Sequence, residues 1–362
     1  MLPKIRAIHA WCGLLLCLLL AVLSLSGTAL IFQDDYVRAT VPEARQPVDL
    51  NPAVIGAAME RIEADIGADN LSYVLLARDT LSLHRIVMRN GDAAFARQDG
   101  QIVQRWSKNG RIEDWVFHLH HYLFLGDFGK YLAGVAALIT GLMTISGIYL
   151  VWPLLRAFRL RVWPRSRKRL DLRAYHRNTG FVFALPILVL ALTGAGMVFH
   201  KQADTVLDVI TLSKRETFNA PKGLPGDVNW RAALQHTRSE FPDAQLRLVI
   251  WPRNKTATAT VRLKQPGEWH QNGRSYSFID ASTSRVVATR DALTLSRGER
   301  ASNTIYPLHS AGIGGRVYDA VAAVTGIALV ILALVGAWSY LQLLRSRQQQ
   351  RKPRTSAAGA PQ

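Results

Sequence analysis

Two stretches decide the architecture: HAWCGLLLCLLLAVLSLSG at residues 9–27 and HRNTGFVFALPILVLALTG at residues 176–194. Both read His-x3-Gly-x12-[Ser/Thr]-Gly, with His9, Gly13 and Ser26-Gly27 matched by His176, Gly180 and Thr193-Gly194. In a helix of about 3.6 residues per turn, the 18 residues from His to the distal Gly make five turns, so both ends share one face. The nearer Gly sits almost on that face. Each stretch is thus an apolar helix with an imidazole at one end and exposed backbone above it.

The surroundings make these helices membrane spans. Uncharged apolar windows cover residues 10–32, 131–155, 178–199 and 320–344, and each exceeds the roughly 20 residues that a helix needs to cross a bilayer. The sequence therefore predicts an α-helical membrane protein with four transmembrane helices, at 8–32, 128–155, 176–200 and 317–344, and excludes a soluble enzyme. The first window is longer than the apolar region of a cleaved leader and has a partner later in the chain, so it reads as a retained helix.

Charge sets the orientation. The chain carries 44 Lys+Arg against 26 Asp+Glu, a net charge of +18. Sixteen of the basic residues precede the first window, lie between the second and third, or follow the fourth, against one acid there, Asp171. Lys and Arg accumulate in cytoplasmic loops, so both termini and the Arg-rich loop at 156–175 are expected in the cytoplasm of a cell with an inner membrane. Basic clusters beside spans read as anchors to anionic membrane lipid rather than nucleic-acid sites. The only cysteines, Cys12 and Cys17, fall inside the first span, where they read as small apolar fillers. There is no Cys-x-x-Cys-His for covalent haem attachment.

The halves 1–155 and 170–344 share one plan: span, large external loop, span. His120 leads through Gly126 and Gly129-Lys130 to Thr140-Gly141, and His309 leads through Gly314 and Gly315-Arg316 to Thr325-Gly326, with unequal spacings. Parallel repeats of this kind pack about an axis along the membrane normal, with sites at their interface. The external segments 33–118 and 201–308 are too long to be connectors. In the first, Asn51-Pro52 caps a helix to Ile66, followed by strands at 71–77, 82–89, 94–98 and 101–104, with a turn at Asp99-Gly100. In the second, Asp227 caps a helix to Glu240, and strands follow at 245–250, 256–263, 276–279 and 286–288. Each segment reads as a small helix-plus-antiparallel-sheet module. The tail at 345–362 is cytoplasmic, and from Gln348 onward its polar, small-residue composition predicts disorder.

On these residues the chain resembles the PepSY-associated transmembrane family, also called iron-regulated membrane proteins. The resemblance is carried by the two His/Gly/[Ser/Thr]-Gly spans, by the Leu119-His120 and Leu308-His309 entries, and by the strand-turn-strand at 278–287. It covers nearly the whole chain. Ser284 stands where a turn Gly is usual, and residues 312–316 shorten the loop after His309. The resemblance implies two periplasmic PepSY-like α+β modules. It also implies an inner-membrane oxidoreductase like the ferric-siderophore reductases, with two b-type haems. Such a protein passes electrons from a cytoplasmic-side donor or membrane quinol to a periplasmic ferric siderophore. Reduction frees the iron because Fe(II) is held more weakly by hard oxygen ligands, in keeping with ligand hardness.

Ten histidines are present. Ionisable groups at membrane depth are costly and mark function, and a bis-imidazole site needs two neutral histidines from facing helices. His9 and His176 form one candidate axial pair, with Gly13 and Gly180 leaving room for a flat macrocycle. The bland reading is two interfacial histidines and two helix-packing glycines. The repeat selects His120 and His309 as the second pair, with His118, His121 and His200 as competing ligands. His84, His236 and His270 read as ordinary module residues. The aromatics Trp115, Phe117, Tyr122, Phe124, Phe128 and Tyr131 read as an interfacial belt. No catalytic side chain is assigned, and no flavin or nicotinamide motif occurs. Two other functions fit the same sequence: a haem-free periplasmic binding or regulatory protein, and a transporter subunit for iron or siderophore.

Overall fold

The computed structural model of the protein describes residues 2–159, 163–252 and 258–351. Its α-helices are, in chain order, α1 (Leu2–Ile31), α2 (Gln33–Thr40), α3 (Pro52–Ile66), α4 (Ile112–Tyr122), α5 (Gly126–Val151) and α6 (Arg169–Val182). They continue with α7 (Ala184–Val198), α8 (His200–Ile210), α9 (Trp230–Glu240), α10 (Arg297–His309) and α11 (Gly315–Arg351). Four strands, β1 (Leu71–Leu75), β2 (His84–Met88), β3 (Ala93–Ala96) and β4 (Ile102–Trp106), fall between α3 and α4. Another four, β5 (Gln245–Ile250), β6 (Ala259–Lys264), β7 (Ser275–Ile279) and β8 (Val286–Arg290), fall between α9 and α10.

The described residues divide into two compact units, a helical one from segments 2–28, 131–195 and 320–351, and one carrying the sheet, from 29–130 and 196–319. In the helical unit, α1, α5 and α11 are each long and apolar enough to cross a membrane. The pair α6–α7, bent by 68°, makes a fourth crossing if it is counted as one span. That bend corrects the expectation of an unbroken helix over 176–200. Pro186 has no N–H, and in a continuous helix its ring would collide with the carbonyl four residues earlier. That residue is Val182, where α6 stops. About two turns of the basic loop, residues 169–175, are also helical, since α6 begins at Arg169. His200, expected at the end of this span, instead opens α8. At the other end of the chain α11 runs through Gln348 to Arg351, so the start of the expected disordered tail is helix. Residues 352–362 and 160–162 lie outside the described residues.

The sheet unit joins what the sequence presented as two modules. Its eight strands form one antiparallel sheet in the order β4-β3-β2-β1-β5-β6-β7-β8. The two halves meet at β1 and β5, with Tyr73 opposite Ile250, Val74 opposite Val249 and Leu75 opposite Leu248. One buried core serves both: Met59 and Ile62 of α3, Trp230 and Leu234 of α9, Val74 and Ile86, Val249, Val261 and Ile279. The helices approach so closely that a Cβ on Gly56 would stand 2.6 Å from the Arg231 Cα. Local signals start them. The Asn51 side chain accepts from the Ala53 amide at 2.9 Å with Pro52 in the first turn. For α9 the cap is Asn229, not Asp227 as expected, accepting from the Ala232 amide at 2.9 Å. The strand expected at 256–263 is Ala259–Lys264 among the described residues, which exclude positions 256 and 257.

On the other face of β2–β4, Val37 and Val41 pack with Leu83, Phe95 and Trp106 in a second cluster. The helices α4 and α10 were not foreseen. Ser296 starts α10 with a capping box, its side chain accepting from the Glu299 amide while the Glu299 side chain accepts from the Ser296 amide. Ser284, at the position of the missing turn Gly, holds φ +55°, the left-handed conformation that glycine adopts most readily.

Candidate functional site

In the helical unit, His9 on α1 and His176 on α6 lie with ring centroids 6.3 Å apart and planes at 85°. Two imidazoles bound to opposite sides of one metal need a spacing close to this. Metal–nitrogen bonds of roughly 2 Å, with roughly 1.1 Å from each nitrogen to its ring centre, place the centroids about 6 Å apart.

The outer edge of each ring is tied to protein. His9 Nδ1 lies 2.9 Å from Ser146 Oγ, and that hydroxyl spends its own proton on the Met143 carbonyl, also at 2.9 Å. His176 Nδ1 lies 3.0 Å from the Leu332 carbonyl oxygen. Both partners therefore accept, so each Nδ1 carries the proton and donates. In a neutral ring this leaves Nε2 as the lone-pair nitrogen, the tautomer a metal ligand needs. Bonds of this kind orient ligating histidines and raise their basicity.

Gly13 and Gly180 are placed alike: a Cβ on Gly13 would meet Met143 Cε at 3.2 Å and one on Gly180 would meet Leu332 Cδ2 at 3.8 Å. Two glycines that sequence reasoning passed over complete the site. A Cβ on Gly147 would stand 3.5 Å from His9 Cε1, and one on Gly336 would stand 2.9 Å from His176 Cε1. A signal for them existed, since Gly147 follows His120 by 27 residues and Gly336 follows His309 by 27. The reading followed Thr140-Gly141 and Thr325-Gly326 instead. Those glycines face other helices, Gly141 toward Leu192 and Gly326 toward Thr28.

In the sheet unit, His120 of α4 and His309, the last residue of α10, lie with ring centroids 6.1 Å apart and planes at 33°. The spacing again suits two ligands of one metal. The neighbouring histidines are turned back on their own helix. His118 Nδ1 donates to the Asp114 carbonyl at 2.8 Å, and His121 Nδ1 to the Phe117 carbonyl at 3.0 Å. His121 also stacks on Phe117, with centroids 4.0 Å apart. His200 is exposed at the start of α8, and among the described residues it makes no ring contact with another histidine. Asp114 anchors α4 to the sheet through Arg85 and the Trp106 indole.

Compared with known protein families, residues 6–342 match the PepSY-associated TM region. The chain belongs to that family. It is therefore a multi-pass membrane protein with a separate antiparallel-sheet region. No curated protein matches it.

The three module histidines do structural work. Buried His84 accepts the Ala77 amide at Nδ1, at 3.0 Å. His236 Nδ1 donates to the Ser284 carbonyl at 3.0 Å. His270 stacks on Tyr306 of α10, with centroids 4.7 Å apart and planes at 15°.

Proposed function

We propose that this member of the family is an inner-membrane electron-transfer protein that holds two b-type haems and reduces a periplasmic ferric chelate, a siderophore, so that its iron is released. The observation that carries this reading is the spacing of the two histidine pairs, 6.3 Å and 6.1 Å between ring centroids. A haem iron held by two imidazoles supplies one-electron redox chemistry, with a potential tuned by hydrogen bonding and burial.

The chain's own residues prepare for that role. His9 and His176 would hold one group, and His120 and His309 the other. The Ser146 hydroxyl and Leu332 carbonyl fix the tautomers of the first pair, and Gly147 and Gly336 keep Cβ atoms away from its rings. The bias of Lys and Arg supports a cytoplasmic position for both termini and the 156–175 loop, and a periplasmic one for the sheet unit. An electron donor then acts from the cytoplasmic side or as membrane quinol.

The test is spectroscopic. Protein purified from iron-replete cells is expected to show a Soret band, b-type α bands on reduction, and two haems per chain. Added ferric chelate is expected to reoxidise the reduced protein. Folded protein that stays colourless would sink the proposal and favour a haem-free binding role. Reporters inserted at Gly91 or Gly267 are expected to read periplasmic, and one after Gln348 cytoplasmic.

A further inference from the structure

The sheet presents a second chemical feature. Side chains alternate along β7, so Ile279 enters the shared core while Tyr276 points to the opposite face. There Tyr276 joins Arg215, Arg274, Arg290, Glu299 and Asn303 around a cleft of about 120 Å³. Three guanidinium groups thus line a space of roughly four water volumes.

Two of them are fixed in place. Arg215 donates from Nε to Asp208 at 2.8 Å and from Nη2 to Asp204 at 2.9 Å. Arg290 donates to Glu299 Oε1 at 2.7 Å and lies over the Phe218 ring. Glu299 is the one acid in the lining, and its other oxygen accepts the Ser296 hydroxyl and amide of the capping box. Its charge is already engaged. The third, Arg274, has no side-chain hydrogen bond or ion pair among the described residues, and its Nε is enclosed without a partner. A buried donor left unpaired costs about 1–3 kcal/mol and calls for an explanation. Guanidinium groups are weakly hydrated planar forks suited to carboxylate and phosphate.

Behind the cleft Arg262 donates to the Gly273 carbonyl at 2.7 Å and lies 3.2 Å from His270 Nε2. Burial, and then Arg262, Arg274 and Lys264, push the His270 imidazole down to about 2. It stays neutral and adds no repulsion to its neighbours. Along α10, Asn303 in the cleft precedes His309 by six residues, about 9 Å of helix axis, and Tyr306 lies between them.

We propose that the Arg215–Arg274–Arg290 cleft binds a carboxylate-bearing polyanion, and that the ferric chelate is therefore an anionic, polycarboxylate one, docked beside α10. The second half of this statement rests on the electron-transfer reading above; the first does not.

The probe is citrate, titrated calorimetrically into the full-length detergent-solubilised protein, with haem content measured on the same samples. Saturable binding is expected, weakened at least tenfold by Arg274→Gln and partly restored by Arg274→Lys, while haem content is unchanged. Arg274 has no side-chain partner to lose, so its removal should leave the fold intact; Arg300→Gln, outside the cleft, serves as the control and is expected to bind normally. Binding that is absent in the wild type, equal in Arg274→Gln, or stronger for inorganic phosphate than for citrate would overturn the assignment. Citrate binding by protein without haem would uphold the anion site and remove the ferric-chelate half. Two haems with no citrate binding would leave electron transfer standing and remove the docking site.

Discussion

The imidazoles of His9 and His176 stand 6.3 Å apart with their planes at 85°, although 167 positions separate them in the chain. Neither helix alone specifies that meeting. Each ring is aimed by a third helix: α5 holds His9 through Ser146, and α11 holds His176 through the Leu332 carbonyl. A pair of interfacial histidines bonded to headgroups would not need an acceptor from the protein at each Nδ1. The arrangement suits the proposed site, since such bonds orient histidines before a metal binds.

Replacing either residue tests this directly. His9→Ala or His176→Ala is expected to lower the haem content from two per chain to one, and the double variant is expected to lose no more. Content is read by pyridine haemochromogen assay against protein mass, with folding checked by size exclusion. Two haems retained in both single variants would show that this pair ligates nothing.

The facing glycines separate a tight site from a loose one. An alanine at 336 would put its Cβ 2.9 Å from His176 Cε1 and 3.1 Å from Nδ1, inside van der Waals contact, whereas at 147 the nearest ring atom lies at 3.5 Å. Gly336→Ala is expected to push His176 off the Leu332 carbonyl and cost one haem, and Gly147→Ala to keep both. Equal haem loss in the two variants would mean that contact with the rings is not what excludes a side chain.

How much of this was legible beforehand depended on range. The helix from Pro52 to Ile66 and the strand Gln245–Ile250 follow from a cap or an apolar run within a few residues, and they appear as read. The pairing of Tyr73 with Ile250 is a contact between segments nearly 180 residues apart, so a merged sheet was read as two modules. Pro186 announced the break in the third span, but it went unread inside a 22-residue window with no charge. The meeting of His9 with His176 was legible because their spacing repeats, and that of His120 with His309 because each opens the second span of its half, although at unequal spacing. Gly147 and Gly336 were missed because they lie in the apolar spans and their match needed counting from His120 and His309 rather than from the nearest Thr-Gly.

Glu63 helps tie the two halves of the sheet unit together, beside the β1–β5 pairing and the shared core. Its Oε2 accepts both the Trp230 indole at 2.6 Å and the Trp251 indole at 2.8 Å. Glu63→Leu would leave two indole N–H groups facing an apolar side chain, at about 1–3 kcal/mol each. A lower denaturation midpoint is expected, with haem content per folded chain unchanged. A midpoint equal to the wild type would show that water replaces the carboxylate.

Acid should weaken the same unit. Burial holds the His84 imidazole down to about 4, and burial together with Arg262, Arg274 and Lys264 holds His270 down to about 2, against an ordinary 6.5. Below pH 6.5 the unfolded chain takes up protons at both positions while the folded chain does not, so stability falls as pH drops. From pH 6.5 to 5 the loss is about 2 kcal/mol for each histidine, reaching its limit near pH 4 for His84 and near pH 2 for His270. Urea unfolding followed by tryptophan fluorescence at pH 7 and pH 5 measures it. His84→Gln and His270→Gln are each expected to reduce the pH dependence, and a slope unchanged in both would reject this cause.

The second pair carries the largest risk, because three other histidines lie near it in sequence or in the fold. Among the described residues, His309 is the histidine of another helix whose ring comes within 6.1 Å of His120, while His121, with its ring 5.4 Å from His120, and His118 bond back to α4 and His200 opens α8. His120→Ala or His309→Ala is therefore expected to remove one haem and leave the His9/His176 one, giving one per chain. His118→Ala, His121→Ala and His200→Ala are expected to keep two, with potentials shifted at most through the neighbours of the ligands. Combining His9→Ala with His309→Ala is expected to give protein with none, since each pair would have lost a ligand. One outcome sinks the assignment outright: His200→Ala at one haem with His309→Ala at two would move the ligand from the end of α10 to the start of α8. Aggregation in every variant would be a folding defect, so each haem ratio is taken on the monodisperse fraction.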